Sequence, residues 1–172
     1  IMQATRFVHK TVHSRGLGGE LSLGMVLVRS VWGLIRQDPK FYQPTHVAIA
    51  VQNGSGAEVT RDTAPMLILV ASTLGRLFLG IRPFWAKDEA PIGLTAIQGG
   101  ARRFARAFPS VLRGHPNRHV TVENGYESFG GARIELRFDG ELNLDAELFA
   151  TAGGDVPLVI ETEGPIRFLR AK

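Results

Sequence analysis

Two pairs of acidic residues in the last third of the chain are the residues whose type and spacing best suit chemistry. Asp139 and Glu141 form the first pair, and Asp145 and Glu147 form the second. Alternate residues of a strand share a face, so a strand over residues 142–149 would hold the second pair about 7 Å apart on one face. Carboxylates fixed in this way can orient a hydroxyl group and accept its proton. The same spacing is also typical of a solvated sheet face, so it does not by itself identify a function.

The acids lie in a part of the chain where apolar and polar residues alternate. Ile134, Leu136 and Phe138 alternate with charged residues, and Gly140 permits a tight reversal after them. Segments of this kind continue to the end of the chain and predict strands over residues 119–123, 133–138, 142–149, 157–161 and 166–170. Short strands punctuated by turns at such intervals indicate an antiparallel sandwich.

The first part of the chain combines helical and strand patterns. Apolar residues recur at steps of three and four over residues 2–13, 20–37 and 101–112, which predicts three helices. Strands are predicted over residues 46–52, 57–61, 66–72 and 92–98. We therefore expect a mainly β fold with a few helices: an antiparallel β-sandwich with N-terminal and central helices, in one domain spanning residues 1–172.

Composition narrows the class of protein. The chain has 172 residues, 44% of them apolar, and its 20 Lys and Arg against 16 Asp and Glu give a net charge of +4. This charge suits anionic surfaces without requiring nucleic acid. Cysteine is absent, which excludes a disulfide framework and thiolate metal sites. We see neither an apolar run long enough to span a bilayer nor a signal peptide, so we expect a cytoplasmic protein.

The predicted central helix carries an unusual density of arginine. Its basic residues, with one just beyond it, are Arg102, Arg103, Arg106, Arg113 and Arg118. Such a face either keeps a helix soluble or docks it on anionic lipid head groups, and the sequence leaves both interpretations open.

Several segments, taken together, resemble the C-terminal domain of the diacylglycerol kinase and sphingosine kinase superfamily, in its bacterial lipid-kinase branch. They are GLGGELSLGMVLVRSVW, HVAIAVQNGSG, STLGRLFLGIRPFW, LDAELF and the closing IRFLR. They occur in the order expected for that family, from about residue 4 to residue 170. The resemblance depends on this order more than on any single segment.

The resemblance implies the family's β-sandwich, which covers the lipid substrate and follows an N-terminal α/β domain that binds ATP. That domain, with its Gly-Gly-Asp-Gly-Thr phosphate loop, is absent from this chain, because no double glycine here is followed by Asp-Gly-Thr. We therefore expect the substrate-binding fragment of an ATP-dependent lipid kinase that phosphorylates the hydroxyl of diacylglycerol or a related lipid. ATP and magnesium would serve the full-length enzyme, and the fragment alone would bind neither and be inactive.

The same resemblance selects site residues, because the family carries a late Asp-Gly-Glu motif whose acids serve the substrate hydroxyl. Asp139-Gly140-Glu141 matches the letters of that motif, whereas Asp145-Ala146-Glu147 matches its surroundings. We favour Glu147 as the base, with Asp145 orienting it or helping to hold magnesium at the phosphates. Asp139 and Glu141 are the second choice, and no metal ligand is assigned.

A second function stays open from the sequence. The chain could be a non-catalytic β-sandwich that binds lipid or a protein partner and lacks an ATP domain altogether. For the kinase the expected partners include the lipid substrate, with peripheral contact at the inner membrane face, and in neither case do they include nucleic acid. For the kinase they also include the missing nucleotide-binding domain, and the oligomeric state is not predicted.

Overall fold

The computed structural model describes residues 29–52, 58–77, 80–87, 90–144, 147–151 and 153–164, with residues 58–64 described by their backbone alone. Its helices are α1, over residues 29–35, and α2, Phe104–Arg113. Its strands are β1 (Thr45–Gln52), β2 (Glu58–Ser72), β3 (Ile92–Gln98), β4 (Tyr126–Gly131), β5 (Arg133–Arg137), β6 (Glu141–Leu144), β7 (Glu147–Ala150) and β8 (Leu158–Glu161). One turn of 3₁₀ helix, Val122–Asn124, precedes β4.

The strands form two antiparallel sheets. The larger sheet has the order β4-β3-β2-β1-β5-β8, and the smaller one is the β6–β7 hairpin. Each neighbouring pair is antiparallel. This confirms the predicted fold class, which is mainly β and antiparallel with a central helix.

Two long segments bend from one half of the larger sheet to the other. The first half of β2 pairs with β1 and its second half pairs with β3, and Met66 is the residue at which the partner changes. β4 pairs with β3, and β5, which follows after Ala132 alone, pairs with β1. The amide of Ala132 donates to the carbonyl oxygen of Gln52 at 2.9 Å. β1 and β3 therefore lie in two facing layers that the same two segments join, which is the sandwich-like arrangement.

The space between the layers is filled with apolar side chains. Alternating residues of strands such as β1, β3 and β5 point inward, as the period of two requires. The inward residues are buried to 7% exposure or less and include Val47, Ile49, Val51, Ile92, Leu94, Ala96, Phe129, Ile134 and Leu136. Burying each larger side chain contributes about 1.5–3 kcal/mol, so this cluster is the main source of stability.

A second apolar cluster covers the outer face of the layer that contains β3. Helix α2 contributes Ala107, Phe108 and Val111, α1 contributes Leu34, and β3 contributes Ile97. Phe104 stacks on Phe108 with 4.9 Å between ring centroids. Both helices thus lie on the same side of the sheet, and the polar side of α2 is left facing solvent.

Two predicted strands are wrong. Residues 119–123 form a turn and the start of the 3₁₀ helix, because the side chains of Asn117 and Asn124 hydrogen-bond to nearby backbone groups and stabilise turns there. Residues 142–149 are two short strands rather than one. Leu144 is paired with Glu147, and the sequence between them, Asp145-Ala146, lacks the Asn or Gly typical of a tight hairpin.

Other predicted elements agree in part or cannot be compared. The strands predicted over residues 57–61 and 66–72 are one continuous strand, β2, with an irregular register between Met66 and Ile68. The helix predicted over residues 101–112 begins three residues later. The helix predicted over residues 2–13 and the strand over residues 166–170 lie outside the described residues.

Candidate functional site

The β6–β7 hairpin carries the acids singled out in the sequence, and its base is fastened by Thr151. The amide of Gly140 donates to Thr151 Oγ1 at 3.1 Å, and the amide of Thr151 donates to the Gly140 carbonyl oxygen at 2.9 Å. The Thr151 hydroxyl also lies 3.2 Å from the carbonyl oxygen of Phe138. Gly140 adopts a φ of 152°, a conformation that favours glycine. The hairpin is therefore fixed at the point where the chain leaves β5.

The register of the hairpin decides which acids share a face. Glu147 lies opposite Leu144, whereas Glu141 lies opposite Ala150. Residues directly opposite each other in an antiparallel pair point to the same side, so Glu141 and Glu147 point to opposite sides. Glu147 is exposed and Glu141 is half-buried. The hairpin therefore does not bring together Glu141 and Glu147, which are two of the predicted site residues.

The other two predicted acids stand apart from this pair. Asp139 is exposed in the bend between β5 and β6. Asp145 lies outside the described residues, so the predicted Asp145–Glu147 pair has no described geometry. The expectation that these two acids share a face rested on one strand over residues 142–149, and the hairpin removes that premise.

Glu147 shares its face of the hairpin with apolar side chains, two of which are exposed. Its face of the hairpin also contains Leu142, Leu144 and Phe149. Leu144 is 57% exposed and Phe149 is 43% exposed. A carboxylate on an apolar face that solvent can reach is a surface suited to a molecule with both a polar group and hydrocarbon chains.

A small pocket lies between the two helices and the sheet, away from this hairpin. Its volume is about 40 Å³, which is room for no more than a few water molecules. It is lined by Leu34, Ile35, Gln37, Tyr42, Leu67, Gly99, Ala101 and Phe104. This pocket is too small to hold an acyl chain.

A second group of polar residues gathers at the start of α2. Arg102, Arg103, Arg106, Arg118 and His119 are called the arginine frame below. The sequence pointed to the arginines but placed His119 on a strand, and it gave no sign that the loop after α2 folds back along the helix. The asparagines in the turns after α2 were the available signal, since such side chains stabilise loops.

Two asparagines hold the arginine frame together. The Asn117 side-chain amide donates to the Arg106 carbonyl oxygen at 3.1 Å and to Ser110 Oγ at 2.7 Å. The Asn124 side-chain amide donates to the His119 carbonyl oxygen at 3.2 Å, and the Asn124 carbonyl oxygen accepts from the Arg102 amide at 2.9 Å. The loop after α2 is thus tied to the helix at two points.

Tyr126 adds a third attachment to the same backbone. Its hydroxyl donates to the Arg102 carbonyl oxygen at 2.9 Å, and its ring is buried in the cluster beneath the helices. This burial raises the pKa of Tyr126 to about 12. The start of α2 is therefore anchored to β4.

The arginines create a strongly positive environment. The pKa of His119 lies below its ordinary value, first because the imidazole is partly desolvated and then because Arg103, Arg118 and Arg106 repel its charged form. Ion pairs in the described part of the chain join Arg133 to Glu135 and Glu161, and none includes an arginine of the frame. No arginine of the frame is therefore within ion-pairing distance of a described acid.

Neither a metal centre nor a membrane-spanning helix is found in the described residues. No three His, Asp or Glu side chains among them are arranged to hold a metal ion. Of the helices in this part of the chain, none has the length and apolar character needed to cross a bilayer.

Comparison with protein-family models, curated proteins and solved structures gives no match for this chain.

Proposed function

We propose that this chain is the substrate-binding C-terminal domain of an ATP-dependent lipid kinase that phosphorylates the hydroxyl of diacylglycerol or a related lipid alcohol. The observation that supports it most is the position of Glu147, an exposed carboxylate on the apolar face formed by Leu142, Leu144 and Phe149. The segment LDAELF, which contains this residue, is also one of those that resemble the lipid-kinase family.

The chemistry of a lipid alcohol explains why such a face is suitable. Phosphoryl transfer requires the acceptor hydroxyl to be held in line and its proton to be taken as the new bond forms. In this proposal Glu147 takes the proton, while Leu144 and Phe149 contact the hydrocarbon next to the hydroxyl. Asp145, the second acid of the predicted pair, would orient Glu147.

ATP and magnesium belong to the full-length enzyme in this proposal. The residues described here do not fit a magnesium site on their own, because no three of their acids or histidines are grouped. The metal ion and the nucleotide are therefore assigned to the N-terminal nucleotide-binding domain, and no step on this chain is derived from them. Because the substrate resides in a bilayer, we also propose a cytoplasmic protein with peripheral contact at the inner membrane face.

The test is an ATP-dependent phosphorylation assay of the full-length gene product with a panel of lipid alcohols. We expect turnover that Glu147→Gln abolishes, with no change in the far-ultraviolet circular dichroism spectrum. Glu141→Gln is the matched control, because it removes the same charge from the opposite face of the hairpin. Turnover that survives Glu147→Gln and is lost in Glu141→Gln would transfer the role of base to the Asp139–Glu141 pair.

The exposed apolar face also favours a second function, a non-catalytic module that binds lipid or protein. Leu144 and Phe149 would then be contact residues and Glu147 would have no chemical role. The same assay separates the two functions. A full-length product that binds lipid vesicles through these residues, but transfers no phosphate to any alcohol in the panel, would establish the binding module.

A further inference from the structure

The arginine frame concentrates positive charge on a rigid support. Arg102, Arg103, Arg106 and Arg118 are all exposed, and none of them is ion-paired within the described part of the chain. Hydrogen bonds from two asparagines and from Tyr126 fix the backbone from which these side chains project. Several arginines on a fixed backbone attract an anion jointly, and only their side chains need to be ordered when it binds.

From this geometry we propose that the arginine frame binds the phosphomonoester head group of an anionic lipid at a bilayer surface. A guanidinium group presents paired N–H donors that match phosphate oxygens, and several guanidinium groups can share one phosphate. A phosphomonoester has up to two negative charges, whereas the phosphodiester of most phospholipids has one. Four arginines that form no ion pair within the described part of the chain therefore favour the monoester.

His119 allows the frame to distinguish a phosphomonoester with two negative charges from a phosphodiester with one. It lies beside Arg103, Arg106 and Arg118, which disfavour its protonated form when no anion is present. A bound dianion offsets the repulsion from these arginines, which favours the protonated form of His119 as the ligand binds. The charged groups that face His119 are these three arginines, and no described carboxylate is among them.

The bilayer, rather than a dissolved phosphate, is indicated by the neighbouring helix. α1 lies on the same side of the sheet as α2, and the two helices line one pocket through Leu34 and Phe104. Trp32 on α1 is 55% exposed, and the Arg36 guanidinium lies 5.0 Å from the centroid of its ring. Exposed tryptophan beside arginine is typical of residues that settle among lipid head groups.

This inference does not require phosphoryl transfer. It is connected to the proposed function in one respect: phosphorylation of a lipid alcohol would produce a lipid phosphomonoester, the class of ligand proposed here. Vesicle binding needs neither ATP nor the hairpin carboxylates, so its result is independent of the kinase assay.

The experiment measures flotation of the 172-residue chain with three kinds of vesicle: phosphatidylcholine alone, and phosphatidylcholine mixed with phosphatidic acid or with phosphatidylglycerol. We expect no binding to the first and the tightest binding to the second. The double variant Arg103→Gln/Arg106→Gln should bind phosphatidic acid vesicles roughly 25-fold more weakly, at about fivefold for each arginine near an anionic surface. Binding should also fall when salt is raised from about 0.1 M to about 1 M.

Arg113→Gln is the matched control, because it removes the same charge from the far end of the same helix. It should change binding less than twofold. Arg118 lies in the loop that follows α2. Arg118→Gln therefore gives a second variant if the double variant does not fold. Equal losses in Arg113→Gln and in the frame variants would overturn the site, since they would show that only total charge matters.

A nuclear magnetic resonance titration supplies a second readout. Glycerol 3-phosphate should raise the pKa of His119 if the frame recognises the phosphomonoester itself. Perturbation of His119 by glycerol 3-phosphate without vesicle binding would overturn the bilayer as the source of the ligand. Tighter binding of duplex DNA than of phosphatidic acid vesicles would overturn the lipid assignment.

Discussion

The hydroxyl of Tyr126 donates a hydrogen bond to the carbonyl oxygen of Arg102 across 2.9 Å, and this bond joins β4 to the start of α2. Tyr126 is 1% exposed, whereas the bond itself is only partly buried because Arg102 belongs to a highly charged, exposed segment. The arrangement connects the apolar core directly to the backbone of the arginine frame.

Removing that hydroxyl should weaken the fold and the frame together. Tyr126→Phe leaves the ring in place but deprives the Arg102 carbonyl oxygen of its donor, which should lower the free energy of unfolding by about 1–2 kcal/mol. Urea denaturation measures the loss. Unchanged stability would show that water replaces the hydroxyl at this position.

The same residue should limit stability in alkaline solution. The pKa of Tyr126 is about 12 in the folded protein and about 10 when the chain is unfolded, so the unfolded chain releases this proton first as the pH rises. The contribution of Tyr126 is therefore complete below about pH 10 and is lost as the pH rises towards about 12. Urea denaturation across this range should show a decline that Tyr126→Phe reduces.

His119 should have the opposite dependence on pH. Its pKa is lowered in the folded protein, so the unfolded chain binds the proton more readily and stability falls as the pH falls below about 6.5. His119→Gln should flatten this part of the curve. A stability curve that keeps the same slope below about pH 6.5 in His119→Gln would contradict this assignment.

Gly131 should be intolerant of a side chain because of the contact where β4 meets β1. A Cβ atom at this position would lie 2.6 Å from Val51 Cγ1, which is inside the core. Gly131→Ala should therefore cost about 1–3 kcal/mol through overpacking. Gly100→Ala is the control, since a Cβ atom there meets nothing within 4 Å. Thermal unfolding of the two variants should separate them clearly.

Thr151 should control the order of the β6–β7 hairpin. Thr151→Val keeps the shape of the side chain but leaves the Gly140 amide without its acceptor, so that amide should exchange with solvent at least several-fold faster. Thr151→Ser should preserve the slow rate. Hydrogen exchange followed by nuclear magnetic resonance distinguishes the two, and equal rates in both variants would show that the hairpin is held by its strand pairing alone.

Much of the fold could be predicted because its signal is local. The alternation around Val47, Ile49 and Val51 specifies a strand with one buried face, and the spacing of Ala107, Phe108 and Val111 specifies a helix. Which strands pair with each other could not be predicted from local patterns. Nothing local in β5 shows that Ile134 lies opposite Val51, because that pairing joins residues far apart in the chain.

The candidate site was harder to predict for the same reason. The period of two continues across residues 142–149, so the pattern alone could not show the reversal that places Glu147 on the face of Leu142 and Leu144. The arginine frame depends on side-chain-to-backbone bonds from Asn117 and Asn124, whose partners the sequence does not specify. The sequence therefore shows which residue types are present, but not which of them are brought together by the fold.

The strand segment that runs from Tyr126 to Arg137 with a break at Ala132 has a consequence for biosynthesis. Until this segment leaves the ribosome, β1 lacks its β5 partner and β3 lacks its β4 partner, so both present unpaired backbone groups. Exposed strand edges attract other chains. A nascent protein stalled before residue 126 should accordingly be a target for chaperones and prone to aggregation, whereas one extended past residue 137 can complete its hydrogen bonding.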